Sequence, residues 1–318
     1  MQIIKVLMAS LTLIILLLIF NIGCVDHREV NINQKIKTPI TITDDLDRVV
    51  ILEEKPSRIV SLAPSNTEII YALGLENKLI GVTQFCNYPI EALEKEIVGG
   101  FSDVDIEKVI SLNPDLILAE DIHKHEVIPA LEGHGLKVIA IVPHNLQEVM
   151  ESIILIGKVT GNEDKAIQIV DEMKNRVRAI TDKTNKLKDQ ERPKVLYVIW
   201  HEPMMSVGND TRIHELIEKA GGVNVAAAAG EGYPTLTLEE IISVNPQVII
   251  VNEEEYEGGD ISLMFVLNET RLAIVDASKN GRIYGINADL TNRPTQRMVL
   301  ALELIANMIH PEIFSSIE

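Results

Sequence analysis

One helix–strand unit occurs twice in this chain, and the repeat is the strongest constraint on its fold. Residues 105–118 read "DIEKVISLNPDLIL", and residues 237–250 read "TLEEIISVNPQVII". Glu107 in the first copy recurs as Glu239, 132 residues later, and each glutamate stands seven residues before a proline. A unit repeated at this distance predicts two lobes built to the same plan.

Predicted strands and helices alternate around both copies of the repeat. Apolar runs bounded by turn residues predict strands, and Pro, Ser and Gly signals mark the helices between them. This βαβ order predicts a parallel sheet in each half. The predicted strands are 58–62, 78–83, 137–142, 194–199 and 281–287, with a hairpin over 39–51 and helices over 64–75, 124–134, 211–222 and 294–314.

A polar segment without glycine separates the two halves. Its apolar residues from Ala166 to Ile180 follow helical spacing, which predicts one long helix over 162–192. The predicted fold class is therefore α/β, with two Rossmann-like lobes, 39–161 and 193–318, joined by this helix. A ligand cleft is expected between the lobes.

The first residues predict export and attachment to a membrane. Lys5 precedes an unbroken apolar run at 6–20, which suits the core of a signal peptide (1–23) better than a full membrane span. The following "NIGC" resembles a lipoprotein processing site, so Cys24 would carry lipid and 24–38 would be a tether. An uncleaved helical anchor is the alternative. Either places the protein on the outer face of the cytoplasmic membrane.

Charge and cysteine content exclude some classes of protein. The chain has 47 acidic and 29 basic residues, a net charge of −18, which disfavours nucleic acid as a partner. Cys24 and Cys86 are its two cysteines. If Cys24 carries lipid, no disulfide can form within the chain, and Cys86 is expected to be a buried thiol.

Several motifs in order resemble one family, the helix-linked substrate-binding proteins of ABC transporters, which capture cobalamin, ferric siderophores or haem. The motifs are "TDDLDRVV", "RIVSLAPSNTEIIYALG", the repeated glutamate–proline unit, the long connecting helix and a closing "RP…R…HPE". "APSNTE" at 63–68 and "NYP" at 87–89 are most similar to the cobalamin binders of this family. The resemblance implies a transported corrinoid, a permease dimer and its ATPase as partners, no resident cofactor and no catalysed reaction.

The resemblance also implies ligand-binding residues. Phe85, Phe101 and Tyr233 fall where the family packs aromatic rings on the corrin, and Met205 stands where another aromatic is usual. Asp289 and Arg293 match an acid–base pair that the family places near the corrin amides. The aromatic residues lie near predicted strand ends or in the loops after them, where open α/β sheets bind ligands. By the same argument Trp200 is a ligand candidate. A core position is the alternative for both Trp200 and Phe85.

Histidines and the repeated glutamates have competing interpretations. His201, just after a strand, is a weak candidate for a metal ligand, and a hydrogen-bonded loop histidine is favoured. His123, with its two neighbouring histidines, is expected on a solvated surface. Glu107 and Glu239 could simply favour helix starts, but the family docks such glutamates onto permease arginines. Identical offsets in both lobes favour docking.

Other functions are less well supported. The chain contains no G-x-S-x-G, H-E-x-x-H, Walker or G-x-G-x-x-G motif, so no enzyme class is indicated. A cluster-binding enzyme on the same repeat would need more cysteine ligands. A surface sensor or adhesion protein stays open, as does a ferric siderophore or haem in place of cobalamin.

Overall fold

Two parallel sheets, one in each half of the sequence, organise the computed structural model, which describes residues 39–253 and 261–314. The predicted signal peptide, Cys24 and the tether up to residue 38 lie outside the described residues. In the described ranges, no helix is both long enough and apolar enough to cross a membrane.

The sheet of the N-terminal lobe has five parallel strands in the order β5-β4-β3-β6-β7. Two of its three inner strands, β3 and β6, are runs buried on both faces, as expected when helices cover a parallel sheet. An antiparallel hairpin, β1–β2, precedes it, as predicted. The elements are β1 Ile40–Thr43, β2 Val49–Leu52, β3 Ile59–Ser61, α1 Pro64–Ala72, β4 Leu79–Val82, β5 Glu96–Ile97, α2 Ile106–Ser111, β6 Leu116–Ala119, α3 Val127–Gly133, β7 Val138–Ala140 and α4 Leu146–Thr160.

The sheet of the C-terminal lobe has four parallel strands in the order β11-β8-β12-β13. A short antiparallel hairpin, β9–β10, follows its first strand. The elements are β8 Lys194–Val198, β9 Trp200–His201, β10 Met204–Met205, α6 Arg212–Lys219, β11 Val223–Asn224, α7 Leu238–Val244, β12 Val248–Glu253, α8 Ile261–Asn268, α9 Asp276–Lys279, β13 Ile283–Asn287, α10 Ala288–Asn292, α11 Met298–Ile309 and α12 Pro311–Phe314.

The repeated unit folds the same way in both lobes. The helices α2 and α7 begin after Asp105 and Thr237, whose side chains each accept a hydrogen bond from the backbone N–H three residues on. Each unit then turns through an asparagine with positive φ, +47° at Asn113 and +49° at Asn245. Asparagine adopts this conformation more readily than most residues, and the proline that follows prevents a return to helix.

The linking helix, α5, runs from Glu163 to Thr184, eight residues short of the predicted end at residue 192. The chain turns back after Asn185, and the Thr184 carbonyl accepts from the Leu187 N–H at 3.1 Å and from the Arg192 guanidinium at 3.0 Å. Because this stop involves no glycine or proline, the sequence gives no local signal for it. Arg176 joins the helix to Glu303 of α11 by two hydrogen bonds of 2.8 and 2.6 Å.

The predicted closing helix over 294–314 is two helices, α11 and α12. His310 between them has φ −133° and ψ 64°, outside the helical region. Pro311 causes this break, since a residue before proline is sterically pushed out of helical geometry.

One apolar core passes through both lobes and the linking helix. It includes fully buried Ile59 in the first sheet, Met173 in α5 and Tyr197 in the second sheet. A smaller apolar core of its own lies on the other face of each sheet. The linking helix is therefore packed into the body of the protein.

Candidate functional site

A cavity of about 440 Å³ lies between the lobes, at the carboxyl ends of the parallel strands. Open α/β sheets bind their ligands at this position. Both lobes contribute to its walls, which are mostly apolar. The lining residues are Pro64, Ser65, Phe85, Phe101, Glu120, Ile141, Val142, Pro143 and His144 from the N-terminal lobe and Arg212, Asn292, Arg293 and Pro294 from the C-terminal lobe.

A smaller cavity of about 180 Å³ lies beside the larger one and is lined by Tyr233 of the C-terminal lobe. The two cavities share three lining residues, His144, Arg212 and Asn292.

Three of the predicted aromatic residues line these two cavities. Phe85 and Tyr233 are about half exposed, 51% and 52%, and Phe101 is partly buried. Large aromatic side chains with this much free surface have apolar area available for a ligand. Phe85 and Phe101 line the larger cavity and Tyr233 the smaller one.

Fully buried His123 holds the Phe101 loop in place. Its Nε2–H donates to the Phe101 carbonyl at 2.8 Å, while its Nδ1 accepts from the Glu120 N–H at 2.9 Å. The two rings of His123 and Phe101 meet edge to face, with centroids 5.6 Å apart. The prediction of a solvated His123 is wrong. Burial lowers the pKa of this imidazole, in keeping with the neutral form that the two hydrogen bonds require.

Arg293 forms the predicted pair with Asp289, at 2.8 Å, and it also reaches across to the N-terminal lobe. Its NH1 donates to Glu68 Oε1 at 3.0 Å and to Asn87 Oδ1 at 2.8 Å. Arg297 adds two more hydrogen bonds to Glu68, and its guanidinium lies 3.7 Å from the Tyr88 ring centroid. Sequence reasoning missed Glu68, because its partners are more than two hundred residues away.

The cavity also contains a carboxyl group that the sequence analysis did not select. Glu120 follows strand β6 directly, and the Ser65 hydroxyl donates to its Oε1 at 2.6 Å. Burial raises the pKa of Glu120, and Arg212 offsets this only in part. The signal was present: a charged residue directly after a buried strand lies at the ligand edge of a sheet.

Trp200 and Met205 lie opposite each other in the β9–β10 hairpin and line neither cavity. The ring centroids of Trp200 and His201 lie 4.6 Å apart, and the Trp200 Nε1–H donates to the Glu202 carbonyl at 2.9 Å. His201 Nδ1 lies 3.0 Å from Ser262 Oγ. In the described part of the chain, no three His, Cys, Asp or Glu side chains form a group that could hold a metal ion.

Glu107 and Glu239 lie in the first turns of α2 and α7, and both are exposed. Neither side chain makes a hydrogen bond or ion pair with another described residue, although the charge of Glu239 acts on nearby Arg271. The adjacent Glu240, not Glu239, closes the capping box with Thr237. Neither glutamate is therefore needed to cap the start of its own helix.

The two lobes, the linking helix and the cleft at the strand ends define a two-lobed α/β ligand-binding protein. The chain belongs to the periplasmic binding protein family, whose model matches residues 59–290.

Relatives over nearly the whole chain agree with this assignment. The ABC transporter substrate-binding lipoprotein YvrC of Bacillus subtilis is 33% identical over 301 residues, 92% of this chain and 93% of that protein. The cobalamin-binding protein of Halobacterium salinarum is 30% identical over 277 residues, 86% of this chain and 74% of that protein. The crystal structure of the periplasmic vitamin B12 binding protein BtuF of Vibrio cholerae is similar at a TM-score of 0.68, with 27% identity over 82% of this chain and 98% of that chain.

Proposed function

We propose that this protein is the substrate-binding component of an ABC importer and that it captures a corrinoid, cobalamin or a close relative. It would hold the ligand between its lobes and deliver it to a permease dimer, with ATP hydrolysed by a separate subunit. Family membership and the names of the relatives support the importer role. The residues that line the cleft support the choice of a corrinoid as the ligand.

The observation that favours a corrinoid is the set of hydrogen-bond partners of the two arginines that line the larger cavity. Arg293 is already bonded to Glu68, Asp289 and Asn87, and Arg212 donates to the carbonyls of two other residues. Arg293 is therefore already paired with carboxylates of the protein, whereas Arg212 contacts only neutral carbonyls and keeps an Nε without a hydrogen-bond partner. Haem, with two propionates, or an anionic ferric siderophore would need more than this one guanidinium, whereas a corrin carries neutral amides.

The remaining lining suits a flat macrocycle. Phe85 and Phe101 in the larger cavity and Tyr233 in the smaller one offer exposed ring surface in an apolar setting. Ligand sites of this kind combine apolar walls with a few placed polar groups. We expect the corrin to span both cavities, with its amide arms toward the polar residues.

Titration of the detergent-solubilised full chain tests this proposal. Cyanocobalamin, haem and a ferric hydroxamate siderophore would each be followed by calorimetry and by absorbance. We expect cyanocobalamin to bind more tightly than the other two. Tighter binding of haem or of the siderophore would overturn the corrinoid proposal and leave the importer role in place.

The partners and the location belong to the same proposal. Exposed Glu107 and Glu239, one on each lobe, would dock on the two halves of the permease. A lipid on Cys24 would keep the protein at the outer face of the cytoplasmic membrane. Both features bring a loaded binding protein to its transporter.

A further inference from the structure

Ser65 and Glu120 form a polar pair in the wall of the larger, mostly apolar cavity. Ser65 is the second residue of helix α1, and Glu120 follows strand β6. Both line the larger cavity, and Ser65 Oγ donates to Glu120 Oε1 at 2.6 Å. Two separate elements thus place one carboxyl group at the cavity wall and fix its orientation.

The Glu120 carboxyl group makes no ion pair with a Lys, Arg or His nitrogen of the described residues. Burial raises its pKa, and the Ser65 hydrogen bond and the nearby charge of Arg212 offset this only in part. Arg212, which lines the same cavity, directs its NH1 to the Pro143 carbonyl at 2.7 Å and its NH2 to the Asn292 carbonyl at 3.2 Å. An ionised carboxylate is costly in an apolar setting unless it is paired, so the protonated acid is favoured.

Building on the proposed corrinoid function, we propose that Glu120 pairs with a neutral carboxamide of the ligand and disfavours a carboxylate at that point. Ser65 donates to Oε1, which leaves the acid proton on Oε2. The acid O–H can then donate to the amide oxygen, and an amide N–H can donate to Oε1, which has two lone pairs. The raised pKa of Glu120, caused mainly by burial, is consistent with this pairing.

The same geometry explains the expected selectivity. A ligand carboxylate at this position would be desolvated beside a second carboxyl group, and both terminal nitrogens of Arg212 already donate to backbone carbonyls, which leaves only its Nε. Sites built to hydrogen-bond one group reject a ligand that leaves the buried partner unpaired or charged. We therefore expect discrimination of about tenfold or more between an amide and an acid.

Calorimetric titration of the full chain tests this pairing with two probes. The probes are cyanocobalamin and its monocarboxylic acids, in which one peripheral amide is hydrolysed. Wild type should bind at least one of these acids about tenfold more weakly than cyanocobalamin. Glu120→Ala should weaken cyanocobalamin binding about tenfold and lose that discrimination, whereas Glu120→Gln should stay within about threefold, because a glutamine amide can also donate and accept. Exposed Glu126 supplies the matched control, Glu126→Gln, with unchanged binding.

A pH profile separates pairing from a merely structural role. Ionisation of Glu120 removes its donor, so wild-type affinity should fall as pH rises through the raised pKa, and Glu120→Gln should not show this fall. The charged or titratable groups that face Glu120 are His123, His144, Arg212 and Arg293. The arginines stay charged, and burial lowers the pKa of His123, so it stays neutral in the same range. In His144→Gln, a substitution in the cavity lining, affinity should still fall over the same pH range, whatever its effect on affinity itself.

The outcomes distinguish this inference from the function on which it rests. Wild-type binding of cyanocobalamin with an unchanged affinity in Glu120→Ala would overturn the pairing and leave the function standing. Equal binding of every acid derivative would do the same. Failure of wild type to bind any corrinoid would overturn the function, and the amide pairing with it.

Discussion

The carboxylate of Glu68 in the N-terminal lobe accepts two hydrogen bonds from the guanidinium of Arg297 in the C-terminal lobe, 2.7 Å from Nε to Oε2 and 2.6 Å from NH2 to Oε1. Arg293 adds a third at 3.0 Å, and the Glu68 side chain is fully buried. The lobes are thus tied together beside the cleft. Wide opening at this edge would leave a buried carboxylate without its partners.

Removal of the Glu68 carboxylate should destabilise the protein strongly. Glu68→Ala leaves two partly buried arginines, 12% and 14% exposed, without their shared partner. Breaking a buried ion pair in this way costs about 3–5 kcal/mol. Urea denaturation followed by circular dichroism measures the loss. Glu303→Ala, which breaks the more exposed pair with Arg176, should cost at most about 1 kcal/mol and serves as the control. An equal, small cost for both would show that the tie between the lobes adds little.

Aromatic truncation in the cleft should weaken ligand binding without unfolding the protein. Phe101→Ala and Tyr233→Ala each remove apolar contact area, for an expected loss of about 1–3 kcal/mol. This corresponds to roughly a five- to hundredfold rise in Kd for cyanocobalamin. Circular dichroism should stay native. Ile90→Ala, at a residue 68% exposed and outside both cavities, should leave Kd unchanged. Wild-type affinity in the double aromatic variant would remove both residues from the site.

The repeated glutamates should matter for transport and not for ligand affinity. Glu107→Ala and Glu239→Ala should leave the Kd for cyanocobalamin unchanged, since both side chains are exposed and neither lines a cleft cavity. Each should slow uptake in cells, and the double change should slow it more. High salt should weaken docking of the wild type, because it screens exposed charges. Glu240→Ala, at an adjacent exposed position, is the matched control. Normal uptake by the double variant would reduce the pair to helix-start residues.

The Cys86 thiol should be unreactive in the folded protein. It is 1% exposed and lies 3.2 Å from Thr67 Oγ1 and 3.3 Å from Thr83 Oγ1. Burial raises the pKa of this thiol, so it stays protonated at pH 8, and the thiol is a poor nucleophile compared with the thiolate. Iodoacetamide should label Cys86 only after addition of denaturant, as peptide mass spectrometry would show. Rapid labelling of the native protein would contradict this burial.

The membrane anchor is tested at Cys24. If the cysteine carries lipid, Cys24→Ser should release the protein from membranes or leave an unprocessed precursor. Membrane fractionation and intact mass measure both results. Cys86→Ser, which does not touch the processing site, should stay membrane-bound. Retention of the Cys24→Ser protein with an unchanged mass would favour the uncleaved helical anchor instead.

Local sequence signals predicted most of the fold, because the relevant interactions are local. Alternating Thr and Val residues predicted the hairpin, and buried apolar runs predicted the strands. Helix α4, which the prediction omitted, also had a local signal: Asn145 accepts from the Glu148 N–H at 2.9 Å, three residues on. The two helix ends that were wrong, at residue 192 and at His310, depend on an arginine contact and on a single proline.

The site was harder to predict, because its polar groups are paired through the tertiary fold. The aromatic candidates came from the resemblance to a family and from their positions near strand ends, and Phe101 does line the cleft. The Ser65 hydroxyl does not cap helix α1, because Pro64 begins that helix and Ala63 precedes it, and it bonds to Glu120 instead. Glu68 carries no local signal of its role. Its partners come from the far end of the chain, and no pattern of spacing reveals them.

The linking helix has a consequence for how the protein folds. Because α5 shares one apolar core with both sheets, neither lobe can bury its surface fully before the other is in place. Unfolding should therefore be a single cooperative transition, with equal calorimetric and van't Hoff enthalpies. Separately produced halves would expose the core face that α5 covers. The two similar lobes should therefore fold and unfold as one cooperative unit, and neither half should be stable until the whole chain has folded.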